Sequence, residues 1–212
     1  MSKDYEVKLI FIGESGVGKT SLIKQFIDKC FIDKKLTTIG HDILQKEIYL
    51  SKDKKIILNI WDTCGQEQFR TINQLFLKNA KIVLFVYDIT QKKSFEELKN
   101  FWYEFVTSIL GKNIIFGIAA NKSDLYQNEE VNINDAKNFA FEINAIYKET
   151  SAKYFESINS LINDMIFKFI EKSENDDKLN ENNISVVSED NEKKKNGCCK
   201  GKKIKNDVDN NI

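Results

Sequence analysis

Three observations predict an α/β fold, a mostly parallel sheet of six strands with helices on both faces. Apolar, β-rich runs alternate with amphipathic helical stretches along the chain. Two of the runs, Lys81–Tyr87 and Ile114–Ala120, are continuously apolar, the pattern of strands buried on both faces. A glycine-rich loop leaves the first run and opens the first helical stretch, the arrangement of a phosphate-binding strand–loop–helix unit. Strands that alternate with helices place the site at the carboxyl ends of the strands.

Taken in order, Glu6–Ile12 reads as the first strand and Lys19–Lys29 as the first helix. Asp42–Leu50 alternates in part, with Leu44, Ile48 and Leu50 set against Gln45 and Glu47. Ile56–Asp62 follows across a turn at Ser51–Lys55, so these two form a hairpin. Lys81–Tyr87, Ile114–Ala120 and a short run at Ile146–Glu149 complete the sheet. Between them lie helices at Ser94–Leu110, Asn134–Ile143 and Tyr154–Glu171. The last carries Phe155, Ile158, Leu161, Ile162, Met165, Ile166 and Phe169 at helical spacing, a stripe that packs on a sheet. From Lys172 the aromatics stop and Asn, Asp, Glu, Lys and Ser dominate, so residues 1–172 form the folded domain and 173–212 an irregular tail.

Composition narrows the classes. A chain of 212 residues suits one domain with a sizeable core. Lys+Arg and Asp+Glu both number 32, so no overall field draws the chain to nucleic acid or to a membrane, and any attraction is local. Four cysteines, Cys30, Cys64, Cys198 and Cys199, are too sparse for a disulfide framework and lack zinc-site spacing, which fits a reducing, cytoplasmic setting. The single histidine, His41, argues against a Ser–His–Asp triad. No basic leader precedes an apolar core, and the apolar runs are too short to span a bilayer.

Three motifs carry chemistry. Gly13-Glu-Ser-Gly-Val-Gly-Lys-Thr20 fits GxxxxGK[ST]. Its glycines let backbone N–H groups converge on phosphate oxygens, and the helix behind adds its partial positive charge. The candidate phosphate contacts are Gly13, Ser15, Gly16, Val17, Gly18, Lys19, Thr20 and Ser21, with Lys19 bridging the β- and γ-phosphates and the Thr20 hydroxyl ligating Mg²⁺. Alone, the motif leaves ATPase, kinase and GTPase open.

The second motif ends an apolar strand. Asp62 stands where a carboxylate acts on magnesium through water, Gly65 lets its N–H approach a γ-phosphate, and Gln66 is placed to orient an attacking water. Upstream, the loop Thr37–Thr38–Ile39–Gly40 offers a threonine hydroxyl to Mg²⁺, from either Thr37 or Thr38. The third motif, Asn121-Lys-Ser-Asp124, follows the strand Ile114–Ala120. A carboxylate at Asp124 accepts from guanine N1–H and N2–H₂, a donor pair adenine lacks. The Lys122 stem covers a face of the base, and Ser151, Ala152 and Lys153 present N–H groups to O6.

With these residues the chain resembles the Ras superfamily of small GTPases, and within it the Rab family, from about Asp4 to Lys172. The Rab-like runs are Ile39-Gly-His-Asp-Ile43, close to IGxDF, and the segment Trp61–Ile72, close to WDTAGQERFRTI. The resemblance implies the small G-protein fold and a switch that cycles between GDP and GTP with Mg²⁺ as cofactor. Such a switch recruits effectors when GTP-bound and regulates vesicle traffic. It further implies that Phe31 packs edge-on against guanine, and that Thr38 is the magnesium ligand and, with Lys19 and Gln66, part of the catalytic set. Ile43, Trp61 and Phe76 form a hydrophobic triad read by effectors, beside Ile39 and Gly40. The implied partners are an exchange factor, a GTPase-activating protein and effectors; the domain is monomeric and binds no nucleic acid. Cys64, Gln68 and Lys35 depart from the family pattern.

The tail departs too. Rab proteins usually end in one or two lipidated cysteines, whereas residues 200–212 follow Cys198 and Cys199 here. Lys193, Lys194, Lys195, Lys200, Lys202, Lys203 and Lys205 surround the pair with no acidic residue between 193 and 205. Each lysine adds about 1 kcal/mol at an anionic leaflet, so the expectation is peripheral attachment to the cytosolic face of an endomembrane, firm only if a cysteine is acylated. The rival to a hydrolysing switch is a GTP-binding interaction scaffold, possibly soluble, with negligible hydrolysis.

Overall fold

The computed structural model describes residues 4–30, 42–51, 54–62 and 74–193, the side chains of 42 and 177–193 apart. Six strands, β1 (Tyr5–Ile12), β2 (Asp42–Ser51), β3 (Lys54–Asp62), β4 (Ile82–Asp88), β5 (Ile115–Asn121) and β6 (Ile146–Glu149), make one sheet in the order β2-β3-β1-β4-β5-β6. Only β2 runs antiparallel, paired with β3 as a hairpin in which Ile43 faces Trp61 across the ladder. The remaining pairs are parallel.

Helix α1 (Lys19–Asp28) follows β1, and the short α2 (Gln74–Leu77) precedes β4. Beyond β4, α3 (Lys92–Glu97), a π-helical turn (Leu98–Trp102) and α4 (Tyr103–Leu110) run as one continuous rod. A 3₁₀ segment (Ser123–Asn128) and α5 (Ile133–Glu142) lead to β6, and α6 (Phe155–Lys193) closes the order. Successive strand residues point to opposite faces, so neighbouring residues of β1 enter different cores. Leu9 and Phe11 join Leu22, Ile23 and Phe26 of α1 and Ile158, Leu161, Met165 and Ile166 of α6 on one face. Ile10 and Ile12 join Phe95, Leu98, Trp102, Val106 and Phe139 on the other. The alternating α/β reading and its two covered faces are therefore correct, with strand limits shifted by at most a residue or two.

The chain divides into compact units after Ile170. The sequence sets the end of the last helix at Glu171, where its apolar stripe stops, and expects irregular chain from 173. The backbone instead stays helical to Lys193. Backbone hydrogen bonds along a helix need no buried stripe, and no glycine or proline interrupts the run before Gly197. The short α2 and the π turn are likewise features the sequence reading does not contain.

Candidate functional site

The sheet order reverses beside β1, since β3 and β4 flank it, and the carboxyl ends of the strands there gather unlike residues. Each apolar strand ends on a polar one: β3 on Asp62, β4 on Asp88, β5 on Asn121. Among the described residues, the buried polar side chains concentrate at this edge, where Lys19, Asp62, Asp88, Asn121, Thr150 and Ser151 are all nearly inaccessible. Burying polar groups is costly, so their concentration at one edge marks a built site.

The loop after β1 is shaped by two of its glycines. A Cβ on Gly13 would stand 2.1 Å from the Val86 carbonyl oxygen, and one on Gly18 2.4 Å from Asn121 Nδ2. Gly18 also takes a φ of 100°, which side chains oppose, as it starts α1. The first turn of α1 carries no acidic residue, so the partial positive charge of the helix start is not offset there by a carboxylate of that turn, which suits an anion. Lys19 reaches back over the loop, its Nζ donating to the carbonyls of Gly13 at 2.8 Å and Glu14 at 2.9 Å. The Thr20 hydroxyl donates to Asp62 Oδ2 at 2.6 Å, which brings together the two hard oxygen donors expected around magnesium. No cluster of three or more His, Cys, Asp or Glu among the described residues is arranged to hold a metal. A magnesium ion that takes most ligands from water and phosphate needs none.

The third motif is tied to this loop. Asn121 donates through Nδ2 to the Val17 carbonyl at 2.7 Å, and the Thr150 hydroxyl donates to Asn121 Oδ1 at 3.4 Å. Asp124 accepts from the Ser151 hydroxyl at 2.7 Å and pairs with Lys153 Nζ at 2.6 Å. Burial pushes the Asp124 carboxyl up, but the Lys153 and Ser151 hydrogen bonds outweigh it and hold it below the ordinary aspartate range. The Ser151 N–H is taken by Ser157 Oγ and the Lys153 N–H by Ser151 Oγ, each at 3.2 Å. Of the three N–H groups expected to face guanine O6, the geometry therefore favours that of Ala152.

Some partners were not anticipated. Asp88 forms an ion pair with Lys122 at 2.5 Å, fixing the ammonium end of the side chain expected along the base. Its one visible signal is position, a carboxylate ending an apolar strand as Asp62 does. Trp102 donates through Nε1 to the Glu14 carboxylate at 2.9 Å, a link across 88 residues that no local pattern announces.

On the β2–β3 side, Trp61 and Phe76 meet edge to face at 5.1 Å between ring centres. Ile43 is 56% exposed whereas Phe76 is 6% exposed, so the expected triad presents Ile43 far more than Phe76. Lys8 Nζ lies 3.6 Å from the Trp61 ring centre and donates to the Phe76 carbonyl at 2.6 Å. Phe31, Thr38, Ile39, Gly40, Gly65, Gln66, Cys198 and Cys199, with Lys35, Cys64 and Gln68, lie outside the described residues. Among the described residues, no helix is long and apolar enough to cross a membrane.

A model of the Ras family matches residues 8–171. The Ras-related protein Rab-21 of Bos taurus is 34% identical over 183 residues, 86% of this chain and 82% of that protein. The Ras-related protein RabJ of Dictyostelium discoideum is 36% identical over 176 residues, 83% of this chain and 68% of its own length. The same organism's Ras-related protein RabC is 32% identical over 200 residues, 94% of this chain and all of that protein.

Proposed function

This chain belongs to the Ras family and within it to the Rab small GTPases, and on that premise we propose that the residues gathered at the strand ends run its nucleotide switch. As a Rab-like small GTPase it binds guanine nucleotide, hydrolyses GTP, and acts in membrane traffic with regulators and effectors. The reading of its site rests chiefly on one observation. Lys19, the Thr20–Asp62 pair, Asn121 and Asp124 converge on one edge although they come from separate segments.

In the proposed arrangement the loop from Gly13 to Gly18 and the first turn of α1 surround the phosphates. Lys19 exchanges its loop carbonyls for phosphate oxygens. Thr20, with Asp62 acting through water, would hold Mg²⁺, and Thr38 would add a ligand in the GTP state; when bound, the ion would supply charge neutralisation at the phosphates. Asp124 takes the guanine N1–H and N2–H₂, the Ala152 N–H faces O6, and Lys122, held by Asp88, lies along the ring, with Phe31 at its edge. Gln66 orients the water for in-line attack, and the Gly65 N–H senses the γ-phosphate. Loss of that phosphate releases both switch segments.

The single arginine of the sequence, Arg70, lies outside the described residues; intrinsic hydrolysis is expected to be slow, on the order of 10⁻⁴ s⁻¹, with an activating protein supplying the speed. The domain of residues 1–172 works as a monomer. The lysines from 193 to 205, with an acyl group on Cys198 or Cys199, hold the chain on the cytosolic face of an endomembrane. The test is single-turnover phosphate release from GTP-loaded protein. Wild type is expected to release phosphate over hours, and Gln66→Leu at least about tenfold more slowly. Equal rates would remove Gln66 from the mechanism, and no release from wild type would favour the scaffold reading.

A further inference from the structure

We propose that Trp102 is a positioning residue which, through Glu14, holds the phosphate loop in its binding shape and so sets how fast nucleotide leaves. The proposal rests on the reading of that loop as the nucleotide site. Glu14 holds two partners at once. Its carbonyl accepts from Lys19 Nζ at 2.9 Å, while its carboxylate accepts from Trp102 Nε1 at 2.9 Å. Whatever fixes the Glu14 side chain therefore also fixes the carbonyl that steers Lys19.

The donor is well placed to do this. Trp102 is fully buried, wedged between Phe101 at 4.8 Å and Phe105 at 6.3 Å between ring centres, so its indole has little freedom to turn. A buried indole N–H needs a partner, and a charge-assisted bond to a carboxylate is the strong kind. The π turn Leu98–Trp102 ends on this residue. One wide turn shifts everything after it around the helix axis, by about 100° for the extra residue, and such turns occur frequently at functional sites.

The same rod is anchored at its other end. The Ser94 hydroxyl accepts from the Asp88 N–H at 3.0 Å while donating to the Gln91 carbonyl at 2.7 Å, and Asp88 holds Lys122. The rod from α3 to α4 thus touches the base side through Ser94 and the phosphate side through Trp102. A shift of the rod reaches the loop through the Trp102–Glu14 hydrogen bond.

The experiment follows release of a fluorescent GDP analogue from full-length protein in Mg²⁺ after addition of excess GDP. Trp102→Phe and Glu14→Ala are each expected to speed release by about ten- to a hundredfold, the weight of one hydrogen bond to a charged group. The double variant is expected to be no faster than the singles, because both remove one link. Glu14→Gln, which keeps an acceptor oxygen, is expected to stay within about threefold of wild type. Unchanged release in Glu14→Ala, or effects that multiply in the double variant, would overturn the proposal even if Trp102→Phe lowered the melting temperature. Should Trp102→Phe fail to fold, the contrast of Glu14→Ala with Glu14→Gln decides. A wild-type chain that takes up no guanine nucleotide would fail the reading of the site instead. The link is then judged by thermal stabilisation with inorganic pyrophosphate, expected to weaken in Glu14→Ala and persist in Glu14→Gln, and overturned if Glu14→Ala is stabilised as much as wild type.

Discussion

Asp124→Asn is expected to cut GDP affinity by about a thousandfold or more, in line with the penalty for a site built around a hydrogen bond that can no longer form. The carboxylate offers lone pairs on both oxygens, and Ser151 and Lys153 use only part of that capacity. An amide turns one acceptor into a donor. That donor then opposes a guanine N–H and also faces the Lys153 ammonium. Xanthine carries a carbonyl where guanine carries its amino group, so the same variant is expected to gain affinity for XDP. Asp124→Ala should lose GDP without that gain. Equilibrium titration of both diphosphates checks the pair, and GDP affinity within tenfold of wild type in Asp124→Asn would remove Asp124 from base selection. The acid limit follows from the same contacts. Because the carboxyl is held below its ordinary value of 3.8, base recognition is expected to persist through the ordinary carboxylate range and to fail only as pH falls below it.

Lys19→Met is expected to lower GDP affinity by roughly a hundred- to ten-thousandfold. Two bonds from an ammonium, at about 1.5–3 kcal/mol each, set that range. Methionine keeps most of the buried stem volume, so the loss reports charge and donors rather than a cavity. The sharper measurement is the ratio of GDP to GMP affinity. Lys19 is proposed to act on the β-phosphate, which GMP lacks, so wild type should prefer GDP strongly and the variant only weakly. An undiminished ratio would mean that the ammonium serves the loop carbonyls of Gly13 and Glu14 and nothing else.

The parts legible in the sequence are those whose chemistry is local. Strands β4 and β5 are buried along their whole length, so they read as continuous apolar runs, and the residues that end them stand out by contrast. Gly13 and Gly18 are needed for backbone geometry, and Asn121 and Asp124 sit at fixed spacing on one turn, so short motifs reveal them. Asp88 does not stand out in the sequence because its partner Lys122 comes from another strand end. Trp102 does not stand out because an apolar stripe accounts for a buried aromatic without reference to its indole N–H. The π turn has no residue code of its own, and the four residues of α2 are too few for a period to show. The helix beyond Glu171 is hidden for the opposite reason, since its backbone stays helical where the side-chain patterning stops.

The two tryptophans of this chain sit in sharply different places. Trp102 is sealed inside and bonded to a carboxylate of the phosphate loop, while Trp61 is half-exposed beneath a lysine cation on the β2–β3 side. Indole emission changes colour and brightness with its surroundings. The molecule therefore carries two built-in lamps, one against the phosphate loop and one on the β2–β3 hairpin. Replacing Trp61 alone lets Trp102 be watched in unlabelled protein, so that the surroundings of the phosphate loop are read directly.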